Sequence, residues 1–150
     1  MYFPRMKLAP SDMFCFSLYA ATHALQQAYR PLLAPLGLTY PQYLVLRALW
    51  TEGSPMTVGR IGKEVQLDSS TLTPLLKRME AAGLISRRRD PRDERQVQIG
   101  LTPEGRALEA KTDHVPGCIV EKTGLALQDL TRLRDEINAL TTHLQKEQTQ

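Results

Sequence analysis

The chain has 150 residues, a formal net charge of +3 and a sequence pI near 9.0, enough for one domain with a moderate core and a mildly basic surface. Its two cysteines, Cys15 and Cys118, stand about a hundred residues apart, which excludes a secreted disulfide framework and fits free or redox-active thiols in the cytoplasm. His23, His114 and His143 are scattered and no CxxC or HxxxH spacing occurs, so no metal site or cofactor is expected.

Residues 1–10 read as an extended arm. Ser11 or Asp12 then caps a helix running to about Tyr29 and ending near Arg30-Pro31, through Phe14, Cys15, Leu18, Tyr19, Leu25 and Tyr29. Met13 to Tyr29 carries no Lys, Arg, Asp or Glu, yet Thr22, His23, Gln26 and Gln27 interrupt it. It is too polar and too short for a membrane span, and is expected to be buried on much of its circumference. Thr39 caps a second helix with Pro41 near its first turn, through Tyr43, Leu44, Leu46, Leu49 and Trp50; Glu52-Gly53-Ser54-Pro55 is a loop.

Met56 to Leu101 is the most informative stretch. Thr57 suits an N-cap, with Val58, Ile61 and Val65 spaced on one helical face. After a turn at Gln66-Leu67-Asp68, a second helix carries Leu72, Leu75, Leu76 and Met79 inward and stops at Ala82-Gly83, where Gly83 suits a left-handed C-cap. Two short helices so joined form a helix-turn-helix candidate. Its outward face shows Ser69, Ser70, Thr71, Thr73, Lys77 and Arg78, with Asp68 at its start. Small hydroxyls with two cations can approach a DNA groove and hydrogen-bond there. Pro74 leaves two alternatives, a helix starting late near Thr71 or one that bends at the proline.

Two strands follow, Leu84–Arg88 and Gln96–Leu101, the second by apolar-polar alternation. Between them, Arg89-Asp90-Pro91-Arg92-Asp93-Glu94-Arg95 reads as a turn with arginines at base and tip, Asp-Pro being a turn initiator. Arg88, Arg89, Arg92 and Arg95 suit phosphate or a narrow minor groove. Taken alone the hairpin reads first as a solvated charged loop, since Asp90, Asp93 and Glu94 offset three of the arginines. Directly after a helix-turn-helix it extends one nucleic-acid footprint.

Thr102-Pro103-Glu104 starts another helix as cap, N1 proline and first-turn acid, continuing through Leu108 and Lys111. Pro116-Gly117 is expected to break or kink it near Cys118. A last helix begins around Gly124, with Ala126, Leu130, Leu133, Ile137, Leu140 and Leu144 spaced 4, 3, 4, 3, 4 as a coiled-coil seam. The seam needs a neighbour from the same chain or a partner. We expect a homodimer whose terminal helices pack across subunits, which would set two recognition helices about one DNA turn apart on a palindromic double-stranded operator.

The run LDSSTLTPLLKRMEAAGLISRRRDPRDERQVQIGLTPEGR resembles the winged-helix core of MarR-type transcriptional regulators. The Asp90-x-Arg92-Asp93-x-Arg95 wing and the Leu101-Thr102-x-x-Gly105 exit are specific to that family in combination. The resemblance covers most of the chain and implies a homodimer. It implies a mainly α fold with a small β wing: a winged helix-turn-helix core at 39–101, with dimerisation helices at 1–38 and 103–150 in one domain.

Cys15 lies about one turn inside the first helix, where dipole and free amides favour negative charge, while Asp12 opposes it. Tyr19 is at i+4 on the same face. Tyr29 lies fourteen residues on, about 21 Å along the axis, so it meets Cys15 only if two copies of the helix run antiparallel across a dimer. An isolated cysteine on an apolar helix is commonly an inert small hydrophobe. Phe14-Cys15-Phe16-Ser17-Leu18-Tyr19, then Tyr29 and Tyr40, resemble the sensor of the OhrR branch. By that resemblance Cys15 is the peroxidatic thiol for an organic hydroperoxide, Tyr29 and Tyr40 are its hydrogen-bonding partners from the other subunit, and Tyr19 is the nearby third. Cys118 resembles the resolving cysteine of the two-cysteine subtype, pairing across the dimer; otherwise a small cellular thiol caps oxidised Cys15. The chain thus reads as a repressor and not an enzyme. The alternatives are a MarR-type regulator released by a small phenolic or aromatic ligand, with Cys15 incidental, and a thiol peroxidase.

Overall fold

A computed structural model describes residues 7–148. It divides into two compact units, one ending at Val115 and one beginning at Pro116. Most of the expected extended arm, residues 1–6, lies outside the described residues.

In the first unit, α1 spans Phe14–Leu33 and α2 spans Tyr40–Glu52. Ser11 and Asp12 do not cap α1. They belong to a single 3-10 turn, Pro10–Asp12, whose Asp12 Oδ2 accepts from the Ala9 amide at 3.1 Å. The α1 cap is Met13, with no side-chain bond. The helix also runs past Pro31 to Leu33. The missing proline amide costs one ladder bond, but the three extra residues bury Leu33 to 1% exposure, and Leu38 closes the end by donating to the Leu33 carbonyl. Thr39 caps α2 as expected, in a reciprocal box with Gln42.

The two-residue strand β1 (Met56–Thr57) leads into α3 (Val58–Val65), and α4 spans Ser69–Ala81. Thr57 Oγ1 caps α3 by accepting from the Arg60 amide. Arg60 forks onto Glu52 at 2.6 and 2.7 Å, joining α3 to the end of α2. At Gly62 an added Cβ would lie 2.9 Å from the Leu67 carbonyl oxygen, so the turn into α4 can close this tightly only over glycine. Gly83 follows α4 with φ +76°, the left-handed stop its position suggested.

The hairpin strands are β2 (Ile85–Asp90) and β3 (Asp93–Leu101), longer than the sequence indicates. The expected seven-residue turn is reduced to Pro91-Arg92, because Asp90 pairs with Asp93. β3 is central, with β1 and β2 antiparallel on its two sides. Met56, Ile85 and Ile99 turn one sheet face inward onto Leu46, Ile61, Leu76 and Met79, all at 2% exposure or less. α5 (Pro103–Lys111) is capped by Thr102, whose hydroxyl accepts from Gly105 and donates to the Gly83 carbonyl. That double use of one side chain joins the end of the wing to the end of α4.

α6 (Val115–Thr123) opens at the boundary of the second unit, which continues into α7 (Leu127–Glu147). Pro116-Gly117 does not break a helix. α5 ends at Lys111, and Pro116 stands in the first turn of α6, where its missing amide has no ladder partner to lose. Gly124 ends α6 at φ +68°, so the last helix starts at Leu127 rather than near Gly124.

One expectation about burial changes. α1 buries only Leu33, and Phe14, Phe16, Tyr19 and Leu25 are exposed; its apolar face has no cover within its own compact unit. α7 has no buried residue, and Leu133 and Leu144 of its seam are 44% and 56% exposed. Among the described residues, no helix is long and apolar enough to cross a membrane.

Candidate functional site

The start of α4 removes the late start near Thr71. The helix begins at Ser69, capped by Asp68, whose Oδ1 accepts from the Thr71 amide at 2.9 Å and the Ser70 hydroxyl at 2.7 Å. These donors, the Ser70 hydroxyl foremost, hold the Asp68 carboxyl below its usual range. Pro74 lies inside the helix, at its sixth residue. Leu72, Leu75, Leu76 and Met79 are buried, while Ser69, Ser70, Thr71, Lys77 and Arg78 are exposed and Thr73 is half-buried. The apolar spacing therefore divides the helix as expected, and three hydroxyls crowd its positive N-terminal end.

In the wing, Asp90 and Asp93 fold the turn instead of pairing with arginines. Asp90 Oδ1 accepts from the Arg92 amide at 2.9 Å and Asp93 Oδ1 from the Arg95 amide at 3.1 Å. Asp90 Oδ2 also takes a long 3.4 Å bond from Gln98. Among the described residues, none of the arginines from Arg87 to Arg95 has an ion pair. Arg89, Arg92 and Arg95 are exposed. Arg88 alternates with Ile85, so it lies on the opposite sheet face, beside Ser86 and Gln98. Arg87, which the sequence reading passed over, shares the inward face with its cross-strand neighbour Ile99, and its Nε is buried without a partner among the described residues. Strand alternation in the sequence was the signal for it.

The thiol region lies on α1. Cys15 is its second residue, nearer the helix start than one full turn, and is exposed between Phe14 at 68% and Phe16 at 41%. Tyr19 packs against Phe16 and edge-on against His23, with centroids 6.1 and 4.6 Å apart. Tyr29 belongs to a separate cluster. Its ring centroid is 4.6 Å from that of Tyr40 and 6.0 Å from that of Tyr43. Burial, then the nearby Tyr40 and Tyr43 hydroxyls, push the Tyr29 phenol up to about 12; burial also raises Tyr40 and Tyr43. All three are thus neutral hydrogen-bond donors near neutral pH. Tyr43 reads as core from the sequence, and it is indeed only 4% exposed, but it backs the tyrosine pair. Along α1, Cys15 stays about 21 Å from Tyr29, so one chain does not bring the thiol to the tyrosines. Cys118 is half-buried in the first half of α6, on regular helix and not at a mobile break.

Residues 38–97 match the MarR family model. The chain is 44% identical over 138 residues to the organic hydroperoxide resistance transcriptional regulator of Bacillus subtilis, covering 92% of each protein. It is 51% identical over 135 residues to the regulator TtmR of Methylorubrum extorquens, covering 85% of this chain and 69% of that protein. Among solved structures, reduced AbfR of Staphylococcus epidermidis bound to DNA matches with a TM-score of 0.76 and 36% identity, covering 89% of this chain and 93% of that one. Disulfide-formed AbfR matches with a TM-score of 0.64 at the same identity, over 87% and 91%. With the winged helix-turn-helix in place and the Bacillus subtilis regulator matched over 92% of its length, the chain belongs to the MarR family of transcriptional regulators, with an OhrR-like sequence.

Proposed function

We propose that this protein is a dimeric, cytoplasmic DNA-binding repressor that responds to organic hydroperoxides through Cys15. The observation that carries the reading is Cys15 itself: an exposed thiol in the first turn of α1, flanked by two exposed phenylalanines, on a helix that buries only Leu33. Apolar rings beside the thiol suit a peroxide with an organic tail. The 44% identity to an organic hydroperoxide regulator, and a solved relative known both on DNA and in a disulfide form, support it.

The dimer follows from the uncovered faces of α1 and α7. Two-fold pairing through residues 1–38 and 103–150 covers both and carries the core at 39–101 as a pair of readers of a palindromic duplex. If two copies of α1 run antiparallel there, Cys15 of one subunit meets Tyr29 and Tyr40 of the other, with Tyr19 nearby.

The chemistry balances. The Cys15 thiolate attacks the terminal peroxide oxygen; an S–O bond forms as the O–O bond breaks, and the alkoxide leaves and takes a proton as the alcohol. Sulfur is oxidised and the peroxide reduced by two electrons, giving a sulfenic acid. The neutral phenols of Tyr29 and Tyr40 donate to the sulfur and then to the new oxygen. The Cys118 thiolate attacks that sulfur, an S–S bond forms, and the hydroxyl leaves as water. A disulfide requires Cα atoms within about 7 Å; where the two cysteines start farther apart across the dimer, its closure shifts helices and releases the winged cores from DNA. On the DNA side, Ser69, Ser70, Thr71 and Thr73 meet bases or backbone at the start of α4, Lys77 and Arg78 meet phosphate, and Arg88, Arg89, Arg92 and Arg95 extend the footprint. Asp68 acts by holding Ser70 and Thr71.

The test is DNA release by cumene hydroperoxide, followed by fluorescence anisotropy. Wild type should dissociate, and Cys15→Ser should stay bound. Equal release by both proteins would sink the reading.

A further inference from the structure

Beside the tyrosine pair lies a cavity of about 270 Å³, between the last turns of α1 and the start of α2. Tyr29, Tyr40, Gln26 and Thr39 give it polar groups, and Leu33 and Leu38 line it with apolar ones. One full charge lines it, the guanidinium of Arg30. Arg30 is exposed and forms no ion pair among the described residues.

Without Arg30 this cavity would be a poor place for an anion. Arg30 stands in the last turn of α1, the negative end of a 20-residue helix. Pro31 adds to that end, since it has no amide to give the Gln27 carbonyl. The phenols of Tyr29 and Tyr40 donate hydrogen bonds but, being neutral, add no charge. Arg47, four residues after Tyr43, does not line the cavity. An anion placed there is therefore held chiefly by Arg30.

The proposed dimer supplies that anion. The antiparallel register that sets Cys15 of one α1 against Tyr29 of the other also sets Phe14 against Arg30 and Leu18 against Gln26. Phe14, Cys15 and Leu18 share one helical face, as do Gln26, Tyr29 and Arg30. The thiol of one subunit thus enters the cavity lined by Arg30 of the other. Within one chain Arg30 is fifteen residues from Cys15, about 22 Å along the axis, so it acts only across the dimer.

We propose that Arg30 is a positioning residue for the peroxide reaction: across the dimer, its guanidinium holds the docked Cys15 sulfur as the attacking thiolate. The proposal rests on Cys15 being the peroxide-reactive thiol of a dimer, and it adds the charge that the phenols do not supply. On the thiol's own side the ionisable groups are Lys7 and Asp12 before α1 and His23 about two turns along it. On the facing side they are Arg30 and the three tyrosines.

The test is the pH profile of Cys15 alkylation by iodoacetamide in the full-length protein, read by mass at the Cys15 peptide. The wild-type profile should lie at lower pH than that of the same protein unfolded in urea. Arg30→Gln should move it up by about one unit or more, slowing alkylation near neutral pH by up to about tenfold. Arg30→Lys keeps the charge and should return most of the shift. Circular dichroism and sedimentation check that each variant is folded and dimeric. Mixing Arg30→Gln with Cys15→Ser chains should restore the wild-type profile to part of the remaining Cys15, because each mixed dimer sets an intact Arg30 against an intact Cys15. A folded, dimeric Arg30→Gln with the wild-type profile, a lysine variant as slow as the glutamine one, or a mixture with no restored fraction would overturn the proposal and leave Cys15 as the sensor. A wild-type profile equal to the unfolded one would overturn it together with the reading of Cys15.

Discussion

Tyr29 and Tyr40 hold their rings 4.6 Å apart, with Tyr43 behind them at 6.0 Å from Tyr29. The pair joins the last turns of α1 to the first turn of α2. Because the Tyr29 phenol is pushed up to about 12, chiefly by burial, it remains a proton donor across the whole physiological range.

That shift has a readable sign. The folded value lies above the unfolded one near 10, so the protonated phenol is the form folding favours. Its contribution to stability is complete below pH 10 and is lost as pH rises towards 12. Spectrophotometric titration of the tyrosines should show a late-ionising phenol that disappears in Tyr29→Phe. A wild-type titration complete by pH 11 would contradict the packing described. The same variant keeps the ring and removes the donor, so under the proposed mechanism it should slow peroxide-driven release of DNA without changing affinity for DNA.

Arg95→Ala tests the wing. The nearby Asp90 and Asp93 carboxylates bond the turn backbone, and the Arg95 guanidinium has no ion pair among the described residues. Loss of one phosphate contact should weaken binding and lower the slope of log affinity against log salt by about 1. An unchanged slope would remove Arg95 from the footprint.

Gly105→Ala tests the seating of α5. An added Cβ would collide with the backbone at the Leu84 carbonyl, a neighbour that cannot rotate away. The expected cost is about 1–3 kcal/mol or more, read as a lower midpoint in urea. Leu76→Ala, at 0% exposure in the core beneath α4, should cost about 2–5 kcal/mol by cavity formation. A neutral result at Gly105 would mean that α5 sits farther from the wing base.

Leu133→Glu tests the dimer. Leu133 is 44% exposed on a seam that has no cover within α7's own compact unit. A charge there costs the single chain little and a paired interface much more. Sedimentation should show a monomer for the variant and a dimer for wild type, with weaker DNA binding alongside. A dimeric variant would place the interface elsewhere.

The helix-turn-helix was legible because its leucines repeat at helical spacing and its caps are polar residues of the usual kind: Thr39, Thr57 and Thr102 all cap as expected. Other features depend on contacts that periodicity does not encode. β1 is two residues long and exists through pairing with Ile99 and Gln98, too short to carry a pattern. Pro116 is compatible with a helix stop or a helix start, and the difference lies in where α5 ends. The length of the wing turn followed from Asp90 pairing with Asp93, a register set by side-chain bonds to Arg92 and Arg95. The apolar residues of α1 and α7 indicated a buried surface, but within each helix's own compact unit that surface is open. Strand alternation could have separated Arg88 from Arg87 and Arg89, and only the structure showed that the face Arg88 turns to is a cavity with Arg106.

The central claim is that Cys15 is the redox switch of a dimer and Cys118 its resolving thiol. The most direct measurement is a non-reducing gel with intact mass, before and after one equivalent of cumene hydroperoxide. The account predicts a disulfide-linked dimer in wild type that is absent in both Cys15→Ser and Cys118→Ser. An unmodified Cys15, with the protein still released from DNA, would contradict it.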